Sequence, residues 1–167
     1  MYKYILLLII NLVFSQTMGL SIPESLIIIN AYNEIPITLS NPMSTNIDSI
    51  QFTIELSDGN VELNGMQINN NLIPGYAFDG SGGNGFINTY LYHHPESESE
   101  VFSGEGEILY LTITGLNIGS SSISLTSVEI NGNSVTGNEC YLEIVDVFEC
   151  IYSCPYYEEI IDFNDDI

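Results

Sequence analysis

The chain has 167 residues, of which 22 are acidic and one is basic, so its formal net charge at pH 7 is −21. A protein with a single cationic side chain has almost nothing to neutralise phosphate, which excludes nucleic-acid binding. Apolar residues make up 45% of the chain, enough for the core of one domain. The mixture of Ile, Leu, Val, Tyr, Asn, Ser, Gly and Thr is typical of a β-rich extracellular domain.

The N-terminus has the pattern of a secretory signal peptide. Lys3 supplies a positive charge, Ile5 to Phe14 is apolar apart from one Asn, and Ser15 is a small residue at the cleavage position. We therefore predict a signal peptide over residues 1–15 and a mature chain that is secreted or displayed at the cell surface. An uncleaved anchor is the alternative, although a spanning helix needs roughly 20 apolar residues. No later segment predicts a membrane span.

Removal of the signal peptide would also remove Lys3, the only basic residue, and would leave all 22 acidic residues in place. Salt bridges between side chains are then excluded at neutral pH, apart from those that a protonated His could make. The carboxylates must be screened by salt or held by cations. Calcium is the candidate ion, because it prefers the oxygen ligands that this chain has in excess.

Apolar segments of strand length alternate with turn residues through most of the chain. The clearest is Ile47 to Ser57, where Ile50, Phe52, Ile54 and Leu56 alternate with polar residues and predict one buried and one wet face. Together the segments predict eight or nine strands and no helix, and therefore an all-β fold of two antiparallel sheets packed as a sandwich. The other predicted strands are Leu20 to Ile29, Glu34 to Ser40, Val61 to Ile68, Phe86 to His93, Glu107 to Thr114, Ser121 to Ile130 and Cys140 to Val147.

The connections between these strands carry turn residues. Residues 69–85 are predicted as a polar, glycine-rich loop, and residues 95–104 as an acidic loop. The alternation of apolar and polar residues shifts by one position between Leu125 and Val128, which indicates a β-bulge. Asn131-Gly132-Asn133 predicts a tight hairpin turn, because Asn and Gly accept a positive φ angle.

The last twenty residues, 148–167, lose this alternation and mix cysteines, aromatic residues and acids. We predict that they form an acidic tail behind a single domain over residues 16–147. In an oxidising compartment Cys150 and Cys154 could pair locally, or Cys140 could pair with one of them, and one thiol is left over in either case.

The span from about Leu20 to Val147 resembles a bacterial cohesin domain. The matching motifs, in chain order, are EIPITLSNP (Glu34 to Pro42), IDSIQFTIELSDGNVEL (Ile47 to Leu63), GEGEILYLTITGLNIGSSSISLTSVEINGNSV (Gly104 to Val135) and YLEIVD (Tyr141 to Asp146). The resemblance implies a jelly-roll sandwich of about nine strands that docks dockerin modules, which are small calcium-loaded helical proteins. Ser49 and Gln51 stand at the places where the family presents Asn and Asp to a dockerin.

Three binding hypotheses follow for the wet face of one sheet. In a protein–protein docking module, which the resemblance favours, Ser49, Gln51, Tyr90 and His93 are candidate contacts, with Tyr92 beside them. In a carbohydrate-binding module, Tyr90 and Tyr92 would stack on sugar rings. In a structural or adhesion domain, neither contact is needed. Strand tyrosines usually pack in a core, so we expect that position for the two tyrosines, and an exposed aromatic platform is the alternative.

Catalysis is not expected. The chain has no nucleophile elbow and no cationic group to stabilise an oxyanion or a phosphate, so we predict that it is not an enzyme. His93 and His94 could form a metal site with nearby glutamates, but adjacent strand residues point to opposite faces, which favours a solvated strand end.

The tail contains one further motif. Asp162, Asn164 and Asp166 have the D-x-N-x-D spacing that begins a calcium loop. The Gly that follows in such a loop is replaced by Ile167, so the motif matches only the start of a calcium loop.

Overall fold

The computed structural model describes residues 17–83 and 85–146. These residues form eleven strands in two sheets and contain no helix, so no helix there could cross a membrane. The strands are β1 (Gly19–Ser21), β2 (Ser25–Ile28), β3 (Tyr32–Ser40), β4 (Ser49–Leu56), β5 (Val61–Ile68), β6 (Tyr76–Gly83), β7 (Phe86–His93), β8 (Gly106–Gly115), β9 (Gly119–Ile130), β10 (Asn133–Ser134) and β11 (Glu139–Val145).

The smaller sheet has the strand order β1-β3-β8-β5, and the larger sheet has the order β2-β11-β9-β4-β7-β6, with β10 paired to β9. Every neighbouring pair is antiparallel except β2 and β11, which run parallel. The predicted all-β, two-sheet sandwich is confirmed. The parallel pair is an exception to the purely antiparallel arrangement that we expected.

The alternation predicted for β4 is confirmed. Ile50, Phe52 and Ile54 are each 1% exposed and face the core, whereas Gln51 and Glu55 are exposed on the other side. The core lies between the sheets and consists mostly of Ile and Leu side chains. Among the described residues, every buried side-chain nitrogen or oxygen has a hydrogen-bond partner, as a well-formed interior requires.

The predicted bulge and hairpin turn are both present. The pairing of β4 with β9 shifts register between Gln51 and Thr53, opposite Ser127, which has a φ of 50°. The hairpin turn has φ angles of 52° at Asn131 and 74° at Gly132, the left-handed conformation that these residue types favour. Because of the bulge, the side chains of Val128 and Ile130 point into the core. This agrees with the prediction from the shifted alternation of apolar residues.

The first predicted strand is divided in two, which corrects the prediction of one continuous segment. β1 pairs with β3 in the smaller sheet, and β2 pairs with β11 in the larger sheet. Pro23 lies where the chain crosses from the smaller sheet to the larger one, and it has no N–H to donate to either sheet. The side chain of Asn138 binds the main chain of Ile22 there, since Ile22 N donates to Asn138 Oδ1 at 2.8 Å and Asn138 Nδ2 donates to Ile22 O at 2.8 Å.

β6 was predicted as part of a loop, and that prediction is wrong. The strand pairs with β7 along its whole length, from Tyr76 opposite His93 to Gly83 opposite Phe86. It is the last strand of the larger sheet, and only Tyr76 and Phe78 pack against the core. An edge strand that buries only two side chains needs few apolar residues. The Gly and Ser residues of β6 therefore gave this segment the composition of a loop.

Candidate functional site

The outer face of β4 and β7 brings together four of the five predicted contact residues. Ser49 lies directly opposite Tyr92, and Gln51 lies directly opposite Tyr90, in the antiparallel register of the two strands. Directly opposed residues share a face of the sheet, so the four side chains form one patch. We call this patch, made of Ser49, Gln51, Tyr90 and Tyr92, the tyrosine face.

Tyr90 and Tyr92 lie outside the core, which corrects the expectation that they are core residues. Their ring centroids are 5.4 Å apart and the ring planes meet at 23°, so the rings stack on each other. Tyr90 is 44% exposed. Because each ring covers part of its neighbour, the pair forms a single stacked aromatic ridge and not two coplanar rings.

Carboxylates lie on both sides of the tyrosine face. Asp79 on β6 is opposite Tyr90, and Glu129 on β9 is opposite Gln51, which makes the cross-strand row Asp79, Tyr90, Gln51, Glu129. No Lys or Arg occurs in residues 17–83 or 85–146, so no cationic side chain of this kind compensates the two carboxylates. A shallow hollow of about 240 Å³ lies beside Tyr90 and is lined in part by Gln51, Asp79 and Asn88.

Polar side chains next to the tyrosine face are bound to one another. Thr53 Oγ1 donates to Asn88 Oδ1 at 2.8 Å, and Thr126 Oγ1 donates to Glu55 Oε1 at 2.8 Å. These bonds link β4 with its neighbours β7 and β9. They hold the outer face as a preformed polar surface around the aromatic ridge.

His93 is not on the tyrosine face. Successive strand residues point to opposite sides of a sheet, so His93 projects inward when Tyr92 projects outward. Its ring packs edge-on against Tyr76, with centroids 5.2 Å apart, and its Nε2 lies 3.0 Å from the carbonyl oxygen of Ser99. The side chain that we expected among the contacts therefore supports the acidic loop from within.

Tyr76 is a structural residue that the sequence interpretation missed, because it lies in the strand predicted as loop. Its hydroxyl donates to the carbonyl oxygen of Ile47 and accepts from Phe102 N at 3.1 Å. Burial raises the pKa of the Tyr76 phenol, which therefore stays neutral and able to donate. Tyr76 thus ties the acidic loop to the segment that leads into β4.

The hypothesis of a metal site at the histidine pair is not supported by the geometry. Glu96 N donates to His94 Nδ1 at 3.2 Å, which orders the turn, while the His93 ring points away from His94 into the sandwich. The described part of the chain holds no group of three His, Cys, Asp or Glu side chains placed to bind a metal ion. The calcium-loop residues Asp162, Asn164 and Asp166 lie outside the described residues.

Of the three cysteines, the structure describes only Cys140. Its side chain is 1% exposed and points into the core from β11, and burial raises the pKa of its thiol. Cys150 and Cys154 lie outside the described residues. A disulfide to Cys140 would require the core to open at that strand.

Comparison with known proteins gave matches among solved structures only. No family model and no curated protein matches the chain. A non-cellulosomal cohesin from the hyperthermophilic archaeon Archaeoglobus fulgidus superposes with a TM-score of 0.62 at 18% identity, covering 80% of this chain and 94% of that one. The OlpA cohesin of Clostridium thermocellum, solved in a type I complex with a dockerin, gives 0.59 at 18% identity and covers 77% and 99%.

A third match is the third ScaC cohesin of Acetivibrio cellulolyticus in complex with the ScaB dockerin. Its TM-score is 0.58 at 15% identity, and the alignment covers 77% of this chain and 99% of that one. At such low identity the matches establish the fold and nothing finer. The described residues have the cohesin-type jelly-roll sandwich fold, which confirms the fold that the motifs predicted.

Proposed function

We propose that this chain is a secreted, non-catalytic docking module that binds another extracellular protein, of dockerin type or of another class, through the tyrosine face. The observation that carries the proposal is the stacked pair of Tyr90 and Tyr92 on a polar sheet surface, in which Tyr90 is exposed and Tyr92 is half-buried. Tyrosine is enriched among the residues that dominate protein–protein binding energy, because it supplies a large rigid contact area with a polar tip.

The structural matches support a protein partner. The OlpA and ScaC cohesins were solved bound to dockerins, and both have the fold of this chain. The resemblance in the sequence places Ser49 and Gln51 where cohesins present polar side chains to a dockerin. Those two residues lie on the tyrosine face, so the motifs point to the same surface as the stacked tyrosines.

The charge of the surface defines the kind of partner that fits it. Asp79 and Glu129 bound the tyrosine face, and the mature chain supplies no Lys or Arg to compensate them. A partner with Lys or Arg side chains around an apolar centre would complement this arrangement and would be steered toward it. A cationic side chain could also lie against the exposed ring of Tyr90.

The carbohydrate hypothesis finds less support in the geometry. Sugar-binding aromatic platforms offer ring faces to the ligand, whereas Tyr90 and Tyr92 turn much of their ring faces toward each other. Binding to sugars remains an outcome that the experiment must be able to detect.

The test measures binding of the mature chain to purified, calcium-loaded dockerin modules by biolayer interferometry, with a glycan array and a pull-down of extracellular proteins in parallel. We expect the Tyr90→Ala variant to bind its protein partner about 30-fold more weakly, because a central aromatic contact is worth about 2 kcal/mol. The matched control is Tyr32→Ala, which removes a tyrosine that is 78% exposed on the outer face of the smaller sheet.

Three results would count against the proposal. Equal losses in the Tyr90→Ala and Tyr32→Ala variants would remove the tyrosine face from the interface. Binding to glycans alone would replace docking with sugar recognition. A partner retained equally by the wild type and by Tyr90→Ala would place the interface elsewhere on the domain.

A further inference from the structure

β6 forms one edge of the larger sheet, and its free side has no hydrogen-bond partner among the described residues. The other side pairs with β7 in a continuous register, from Tyr76 opposite His93 to Gly83 opposite Phe86. Residues 79–83 are all exposed. An exposed edge strand presents a row of N–H and C=O groups on which another strand can pair.

The hydrogen-bond pattern identifies which main-chain groups face the free side. His94 N donates to Gly75 O at 2.8 Å, so these two residues form a hydrogen-bonded pair just before β6. Such pairs alternate along an antiparallel ladder, so the odd-numbered residues of β6 bond to β7 and the even-numbered residues direct their N–H and C=O groups to the free side. In and next to the exposed half of the strand, these even-numbered residues are Phe78, Gly80 and Gly82.

The other three sheet edges in the described part of the chain are protected in ways that β6 is not. Short length, bulges, Pro and Lys are the devices that keep an edge strand from pairing with another chain. β1 has three residues and β2 has four. β5 has eight, but its pairing with β8 shifts register between Leu63 and Gly65. β6 has eight residues, no register shift, no Pro and no Lys, so its edge is long and regular.

We propose that the free edge of β6 pairs with an extended segment of another protein in which apolar residues alternate with Lys or Arg. The free N–H and C=O groups define the partner as a β-strand, because an extended main chain matches their spacing. The side chains of β6 define what stands at alternate positions of that strand. Main-chain bonds then supply affinity, and the alternate side chains supply specificity.

The outer face of β6 favours a cation. Asp79 lies on this face, opposite Tyr90 on β7. A partner residue opposite Asp79 would share the same face, so a Lys or Arg there would form a cross-strand pair of opposite charge. Residues 17–83 and 85–146 contain no Lys or Arg that could compete for this carboxylate.

The inner face of β6 favours an apolar side chain. Phe78 packs against the core, and Gly80, two residues further on, lies on the same face without a side chain of its own. A Cβ atom added at Gly80 would come no closer than 3.6 Å to its nearest neighbour, Met66 Cε, so there is room over this glycine. An apolar partner side chain opposite Gly80 would cover the glycine, as cross-strand neighbours do at edge glycines.

A second copy of the chain fits this edge less well. Pairing β6 with another β6 would place only Asp79 and Ser81 at the exposed outer positions, with no cation among them. Two chains that each carry a net charge of −21 also repel each other. The inference does not depend on the proposed docking function, because it concerns the main-chain edge of β6 and not the side chains of the tyrosine face.

The experiment uses the full mature chain and a fluorescent probe peptide of alternating Val and Lys, and fluorescence anisotropy measures its binding. Two isomers of the probe each carry two N-methyl groups, on Val residues in one and on Lys residues in the other, so their charge is equal. A strand paired with β6 directs only one of these sets of N–H groups to the edge, and antiparallel pairing directs the Val set. We expect methylation of that set to weaken binding about tenfold and methylation of the other set to change it by less than about twofold.

Variants of β6 then test the edge itself. Gly80→Pro removes an N–H that faces the free side and leaves the bonds to β7 in place, so binding should weaken about tenfold. Gly80→Ala is the matched control, because it keeps the N–H and its Cβ has room, and it should stay within about twofold of the wild type. Asp79→Asn should weaken binding severalfold, whereas Glu34→Gln on the smaller sheet, which removes an equal charge, should not.

Circular dichroism verifies that each variant is folded, and the two methylated isomers decide the question on the wild type alone if Gly80→Pro does not fold. Four results would overturn the proposal. The first is no saturable binding of the probe up to about 1 mM. The second is equal binding of the two methylated isomers, which would reduce the interaction to attraction between opposite charges. The third is an equal effect of Gly80→Pro and Gly80→Ala, which would place the peptide elsewhere. The fourth is a wild-type dimer in analytical ultracentrifugation that Gly80→Pro abolishes, which would assign the edge to a second copy.

Discussion

Tyr90 lies directly opposite Gln51 on neighbouring antiparallel strands, and a carboxylate stands beyond each of them in the same cross-strand row, Asp79 next to Tyr90 and Glu129 next to Gln51. The row combines an aromatic centre with two anionic flanks. Charged flanks of an interface act mainly on the rate of association, because they steer the partner before contact.

The flanking carboxylates should therefore set the salt dependence of docking. Replacing Asp79 by Asn and Glu129 by Gln together should slow association severalfold at low ionic strength and flatten its dependence on salt, with a smaller effect on dissociation. Stopped-flow or biolayer kinetics between about 0.02 and 0.5 M NaCl measure both rates. Glu34→Gln on β3 together with Glu62→Gln on β5, both in the smaller sheet, removes the same number of charges and is the control. An equal change in that variant would point to net charge instead of the row.

Tyr76 is expected to contribute to stability through its hydroxyl. Tyr76→Phe removes the donor to Ile47 O and the acceptor for Phe102 N, and leaving buried groups unpaired costs about 1–3 kcal/mol. Urea unfolding at pH 7 measures the loss in free energy of unfolding. Tyr32→Phe, at an exposed ring, should change it by less than about 0.5 kcal/mol.

The loss of stability caused by Tyr76→Phe should depend on pH, and the raised pKa of Tyr76 gives the direction of that dependence. The folded chain holds the Tyr76 proton more tightly than the unfolded chain, whose phenol ionises near its ordinary value of 10.0. Above that pH the unfolded state gains stability relative to the folded state. The advantage of the wild type over Tyr76→Phe should therefore be complete below pH 10 and shrink as the pH rises further, and an advantage that grows there would contradict the assignment.

Cys140 should be inert in the native protein. The thiol is 1% exposed, and a raised pKa keeps it protonated, so both access and nucleophilicity are low. We expect iodoacetamide to label it only after unfolding, and peptide mass spectrometry of the oxidised protein to place a disulfide between Cys150 and Cys154. A disulfide from Cys140 to either of the others would show that β11 opens before oxidation.

The excess of negative charge should make stability depend on salt. With a net charge of −21 the folded chain repels itself, and raising NaCl from 0.01 to 1 M shortens the screening length from about 30 Å to about 3 Å. Thermal unfolding at pH 7 should therefore show a Tm that rises with NaCl. Near the isoelectric point of about 4.1 the same titration should be much flatter, and an equal slope at both pH values would exclude repulsion as the cause.

Several elements could be predicted because their information is local. Ile50, Phe52 and Ile54 alternate with polar residues, and that alternation alone orients β4 in the sandwich. Asn131 and Gly132 predict their turn from residue type, and the slip before Val128 predicts the bulge. Each of these patterns depends on sterics or on burial over a few neighbouring residues.

Other elements could not be predicted because their partners are distant in sequence. The strand at Tyr76 exists because β7 offers it an edge, and its own residues carry almost no apolar pattern. The crossing at Ile22 depends on the side chain of Asn138, more than a hundred residues away. The two tyrosines of β7 could be assigned to one face by alternation, but not to the outer one.

The sequence by itself determined the all-β class, most of the strands, the charge of the molecule and the pairing of Tyr90 with Tyr92 on one side of a strand. It did so because backbone alternation and turn sterics act between near neighbours. Only the tertiary structure decided which side faces outward, which removed His93 from the contact surface and placed Ser49 and Gln51 beside the tyrosines. That choice depends on how two sheets bury their apolar faces against each other, which is a property of the whole chain.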